Sequence, residues 1–109
     1  MSEQGDTTGG NPSNRDGDDQ PIVRVLEICN KKGLHARASA KFVHTVDQFD
    51  AVVKVTRGAE TVGGNSIMGL MMLAAGTGTQ ITVEATGKEA AEVIEALTAL
   101  VTGKFTEGE

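Results

Sequence analysis

Along residues 22 to 101 the spacing of apolar residues switches repeatedly between two periods, and few architectures accept that switching in one short chain. Thr79 to Ala85 alternates, with Ile81, Val83 and Ala85 on one side and Thr82, Glu84 and Thr86 on the other, the pattern of a half-exposed strand. Soon after it, Ala90, Val93, Ile94, Leu97, Leu100 and Val101 draw one stripe at helical spacing, with Glu89, Glu92 and Glu95 on the wet side. Upstream, Ile22 to Ile28 is β-rich and apolar on both parities except at Arg24 and Glu27, which predicts a strand covered on one face and partly screened on the other. From Ala36 to Gln48, Phe42, Val43 and Val46 fall on one side of an amphipathic helix of about three turns. Ala51, Val53 and Val55 alternate with Val52, Lys54 and Thr56; Arg57-Gly58 then offers a turn and Ala59 to Val62 a short return strand, a hairpin. Gly63-Gly64-Asn65-Ser66 stops it. Ser66 predicts an N-cap for a short apolar helix from Ile67 to about Leu73, which Gly76 and Gly78 would end. The order β-α-β-β-α-β-α fits an α+β fold, an open-faced β-sandwich in which a four-stranded antiparallel sheet carries three helices on one face.

A chain of 109 residues holds one domain comfortably and two poorly. Met1 to Gln20 is almost all Gly, Ser, Thr, Asn, Asp, Glu and Gln, so it cannot offset the entropy of ordering and is expected to be a disordered acidic tail, leaving 21–109 as the domain. It has neither the basic and apolar regions of an export signal nor an Arg-rich amphipathic pattern, which makes the cytoplasm the expected location. Glu3, Asp6, Asp16, Asp18 and Asp19 against Arg15 account for most of the net charge of −5. Between Ile28 and Val46, by contrast, lie Lys31, Lys32, Arg37 and Lys41 and no acid at all, a local positive field suited to steering an acidic partner. With no strong basic excess in the domain and only three Phe as aromatics, nucleic acid is a poor candidate. No apolar run approaches eighteen residues, so no membrane partner is expected. Cys29 is alone, which excludes an internal disulfide or a cysteine metal cluster, and it reads as a buried apolar filler. No nucleotide loop, metal-ligand cluster or nucleophile–base pair points to an autonomous enzyme or to a cofactor.

The chemistry of the chain converges on Gly33-Leu34-His35-Ala36-Arg37, where a histidine stands between a strand and the first turn of a helix. Backbone N–H groups at a helix start have no partner inside the helix, so a phosphate attached to His35 would meet ready donors from Ala36 to Ala38 and the positive end of the macrodipole. An imidazole of ordinary basicity is largely neutral near pH 7 and therefore nucleophilic. Arg37 adds a charge-assisted hydrogen bond to the same anion. His44, nine residues on and off the apolar helix face, does not pair with His35 for a metal and reads as surface. On the second helix Leu70 and Leu73 read as core, but so short a helix cannot also bury Ile67, Met68, Met71 and Met72. Some of them must form an exposed, adaptable patch.

Gly33-Leu34-His35-Ala36-Arg37 followed by Asn65-Ser66-Ile67-Met68-Gly69-Leu70, in this order of elements, resembles the HPr family, the histidine-containing phosphocarriers of the bacterial phosphoenolpyruvate phosphotransferase system. The resemblance covers about residues 21 to 105. Asn65-Ser66, Glu84-Ala85-Thr86-Gly87 and Gly103-Lys104-Phe105 look closest to its nitrogen-related branch, NPr. It implies that His35 carries the phosphoryl group from enzyme I to an enzyme IIA protein and that Arg37, with Ala36 and Ala38, binds the phosphate. Ile67, Met68, Met71 and Lys41 would dock partners in small transient contacts, and the protein would work as a monomer. It further implies regulatory phosphorylation of Ser66 where an HPr kinase/phosphorylase is present. The family usually has proline directly after the arginine, and here that position is Ala38. Alanine restores one donor near His35 and gives up about 0.4–1 kcal/mol of unfolded-state restriction. Asn65-Ser66-Ile67 is also faintly similar to the Asp-Ser-Leu of acyl carrier proteins, but those domains are all-helical and three segments here demand strands.

Overall fold

The computed structural model describes residues 20–106. Apart from Gln20, the expected acidic tail lies outside the described residues. Four strands and three helices follow in the expected order: β1 (Ile22–Glu27), α1 (Ala36–Val46), β2 (Val52–Arg57), β3 (Glu60–Gly63), α2 (Ile67–Met72), β4 (Gln80–Thr86) and α3 (Ala90–Thr102). A short 3-10 turn, Lys104–Thr106, closes the described chain. The strands form one antiparallel sheet in the order β1-β4-β2-β3.

Register places Leu26 opposite Ile81 and Val55 opposite Val83, so one parity of every central strand faces the helices. Leu26, Val53, Val55, Ile81, Val83 and Ala85 are buried there against Ala38, Phe42 and Val46 of α1, Leu70 of α2, and Val93, Ile94, Leu97 and Val101 of α3. The other sheet face stays open. Val23 and Val25 are each 56% exposed, so β1 is covered on one face as expected, but its other face is open rather than partly screened. Arg24 lies on the same parity as Ile22 and Leu26 and reaches α3 at the sheet border, donating to Thr98 Oγ1 at 3.2 Å and pairing with Glu95 Oε2 at 3.7 Å. Both partners of that ion pair meet water, so it contributes little beyond direction.

Local chemistry sets the connections, with three departures from expectation. The hairpin turn is Gly58-Ala59 rather than Arg57-Gly58, since Arg57 pairs with Glu60; Gly58 takes φ 61°, which the first central residue of such a turn requires. The chain leaves α2 through Ala74 at φ 53° instead of through Gly76, and Arg57 Nη1 donates to the carbonyl of Leu73 at 3.2 Å to satisfy that helix end. Cys29 is half-buried rather than a core filler: its Sγ donates to Val101 O at 3.3 Å, over the end of α3. The start of α2 agrees with expectation, as Ser66 Oγ accepts from Gly69 N at 3.0 Å.

Lys104, Phe105 and Thr106 all adopt left-handed backbone, with φ of 58°, 55° and 59°. Such angles cost roughly 1–2 kcal/mol per non-glycine residue. Complete burial of Phe105 offsets the cost, and so does Lys41, whose Nζ donates to Phe105 O at 2.6 Å and Thr106 Oγ1 at 2.9 Å.

Two stability measurements test this packing. Phe42 is fully buried, so Phe42→Ala should destabilise the domain by about 3–5 kcal/mol in urea unfolding. Ser66→Ala should cost about 1 kcal/mol by the same measurement, with faster hydrogen exchange at Gly69 N–H and little change elsewhere.

Candidate functional site

His35 is the N-cap of α1, with φ −74° and ψ −178°, so its backbone is extended while its carbonyl already belongs to the helix. Ser39 N donates to that carbonyl at 2.8 Å, the first bond of the helix ladder. The amides of Ala36, Arg37 and Ala38 therefore precede the ladder, and the side chain of His35 does not cap them. Ala36 and Arg37 are exposed, Ala38 is buried and His35 is partly exposed, so the helix mouth is open to solvent in part. Arg37 makes no hydrogen bond or ion pair among the described residues, which leaves its five donors available to an anion.

The loop that presents His35 is held from behind. Leu34 N donates to Ala75 O at 3.0 Å, and buried Asn30 donates through Nδ2 to Gly33 O at 2.9 Å. The hydroxyl of Thr77 donates to Asn30 O at 2.6 Å, and buried Ser39 donates through Oγ to Leu34 O at 3.1 Å. Gly33 has φ 66°, and a Cβ there would sit 2.8 Å from Gly76 Cα and press on the Ala75 carbonyl, so only glycine fits. Sequence reasoning missed Asn30, Ser39 and the 75–77 segment as supports of the site. The first two looked like ordinary polar residues, and the third is some forty residues away; only the glycine in Gly33-Leu34-His35 signalled a close backbone approach.

α2 packs beside α1 and displays the Met-rich surface. Leu70 and Leu73 are buried; Ile67, Met68, Met71 and Met72 are exposed, Met68 at 67% and Met72 at 72%. Lys41 is placed differently from the other basic residues of α1, since its ammonium is engaged by the C-terminal turn. His44 is exposed. No group of three or more His, Cys, Asp or Glu is arranged for a metal among the described residues. No described helix is long and apolar enough to cross a membrane.

Residues 22–103 match the family model described as the PTS HPr component phosphorylation site. The chain is 56% identical over 88 residues to the phosphocarrier protein HPr of Neisseria meningitidis serogroup A, covering 81% of this chain and 99% of that one. It is 40% identical over 86 residues to the phosphocarrier protein NPr of Shewanella violacea, covering 79% of this chain and 94% of the relative. The crystal structure of HPr-C-His from Thermoanaerobacter tengcongensis superposes with a TM-score of 0.76 at 38% identity, over 79% of this chain and 97% of that one. The match spans both the helix mouth that presents His35 and the capped, Met-rich α2, and it extends nearly end to end on the relatives. On these grounds the chain belongs to the HPr family, the phosphocarriers of the phosphotransferase system, which carry a phosphoryl group and are not themselves catalysts.

Proposed function

We propose that His35 is the phosphorylated residue, accepting a phosphoryl group on a ring nitrogen from phosphorylated enzyme I and passing it to a histidine of an enzyme IIA protein. The observation that carries this reading is the position of His35 as the N-cap of α1, ahead of the first bond of the ladder. In each step the nitrogen lone pair forms the new bond to phosphorus while the bond to the donor nitrogen breaks and leaves its electron pair there. The transferred group is already activated, so the carrier supplies position and charge rather than acid–base catalysis. Ala36, Arg37 and Ala38 supply amide donors and Arg37 its guanidinium. Dipole and charge together are worth about 0.3–2 kcal/mol to a phosphate at a helix start. That modest figure suits a relay, because a phosphohistidine held too favourably would not be handed on.

Ile67, Met68 and Met71 form the docking surface, with Lys41 adding charge from its fixed place against the C-terminal turn. The contacts are small and short-lived, as a shuttle requires, and the carrier works as a cytoplasmic monomer, apart from nucleic acid and membrane. Ser66 is the regulatory position where an HPr kinase/phosphorylase is present. A phosphate there would sit at the start of α2, tolerated by the helix, while placing negative charge beside Ile67 and Met68.

Incubation with phosphoenolpyruvate and enzyme I should add one acid-labile, base-stable phosphate, detected by mass, and His35→Ala should abolish it; an unchanged gain in that variant refutes the assignment. In a Ser66→Asp variant, the rate of phosphorylation by enzyme I should fall at least several-fold. A wild-type rate would remove the regulatory role from Ser66.

A further inference from the structure

At the far end of α1 from His35, roughly 16 Å away by the rise of its 11 residues, lies an open recess of about 480 Å3. Three segments wall it: Val46, Asp47 and Phe49 where α1 runs on towards β2, Lys54 from β2 itself, and Val62 and Asn65 from β3 and the residues before α2. Hydrogen bonds seat both rims. Asp50 N donates to Glu89 Oε1 at 2.7 Å while Glu89 N donates to Asp50 O at 2.9 Å, and on the other side Gly64 N donates to Val53 O at 2.7 Å. Of the three aromatic rings in the chain, Phe42 and Phe105 are fully buried; Phe49 is partly buried and lines this recess with Val46 and Val62, an apolar wall in contact with water. Asp47 is the C-cap of α1, so a carboxylate stands at the negative end of the helix dipole, where a cation is the favoured neighbour. His44, the basic residue of that last turn, makes no ion pair with it. Lys54 faces Glu84 in register, yet among the described residues it pairs neither with Glu84 nor with Asp47. The exposed side chain of Asn65 has no hydrogen-bond partner among them either.

We infer that this recess binds a free apolar amino acid of the leucine or phenylalanine class, as its zwitterion. A carboxylate and an ammonium that line one recess without meeting are both satisfied by a ligand that carries the two opposite charges itself. The ligand's ammonium meets Asp47 and the end of α1, its carboxylate meets Lys54 and the amide of Asn65, and its side chain lies on Phe49, Val46 and Val62. An apolar wall with a few placed polar groups, and a volume within about 300–1,000 Å3, is the usual make-up of a small-molecule site. The charges disfavour the alternatives. A phosphate ester would bring its negative charge against Asp47, and a fatty acid or a simple amine would answer only one of the two charged groups. A peptide separates its termini, whereas a free amino acid holds both charges on one carbon. Because the recess and His35 lie at opposite ends of α1, both can be occupied at once, and the binding does not rest on the relay role of His35.

L-Leucine titrated into the full chain at low salt, followed by 1H–15N NMR, tests the site directly. Saturable shifts should centre on Asp47 to Lys54 and on Val62 to Asn65, with Ala36 to Ala38 unmoved. Isocaproate, which lacks the ammonium, isoamylamine, which lacks the carboxylate, and glycine, which lacks the side chain, should each bind at least several-fold more weakly than leucine. Asp47 and Lys54 are exposed, so Asp47→Asn and Lys54→Met should leave the fold intact and weaken leucine binding at least several-fold, with Lys88→Met and Glu92→Gln unchanged. The variants should also lose discrimination in a matched way: Asp47→Asn between leucine and isocaproate, Lys54→Met between leucine and isoamylamine. A merely structural effect would not separate the two. Absence of saturable shifts up to the solubility limit of leucine would overturn the site, as would shifts centred on Val23, Val25 and Met68, or isocaproate binding as well as leucine. Shifts at the recess that grow with protein concentration before any leucine is added would overturn it too, since the recess would then be an interface between copies of the chain.

Discussion

The site depends on one backbone contact, the bond from Leu34 N to Ala75 O, made possible by the absence of a side chain at Gly33. It presses the loop after β1 against the segment that leads from α2 into β4. Asn30, Thr77 and Ser39 satisfy the polar groups this contact would otherwise bury, each bonding to a carbonyl within the loop. With the loop fixed at both ends, α1 has a defined first residue, and the amides ahead of its ladder follow directly on His35. A side chain at Gly33 would cost the loop its seat, and the helix mouth would lose its geometry without any change to His35 itself.

A carrier needs less than an enzyme. Its reactive nitrogen has to be reachable, oriented and surrounded by donors of moderate strength, and its surface has to release a partner as readily as it meets one. In the proposed relay these tasks fall to two helices: α1 would supply the nitrogen and the donors, and α2 its exposed methionines, side chains that adapt to more than one surface. Lys41 links the first helix to the left-handed turn at 104–106, so the basic residues of α1 are not equivalent: Arg37 has no partner among the described residues, whereas the Lys41 ammonium is fixed against that turn.

Much of the fold was legible because strict alternation in Thr79 to Ala85 and the stripe from Ala90 to Val101 leave little freedom in what each segment buries. Ser66 was legible as a cap because a hydroxyl before an apolar helix has a specific donor to satisfy. What the sequence left unread was local. Ala74 instead of glycine at the end of α2 and left-handed Lys104, Phe105 and Thr106 are settings that intrinsic preference disfavours and that packing imposes, while the one-residue shift of the hairpin turn and the half-exposure of Cys29 depend on register and on the end of α3. Phe105 shows why: its conformational cost appears in the sequence, but the cavity that offsets it is formed by residues far away.

The sequence by itself determined the element order, the buried parity of β2 and β4, the helix-start position of His35 and the family, because these follow from periodicity and short motifs. Only the tertiary structure decided what holds the His35 loop and which basic residue of α1 is engaged. Those are contacts between segments forty to seventy residues apart. Their energy comes from groups brought together by folding, and no local pattern encodes the partner.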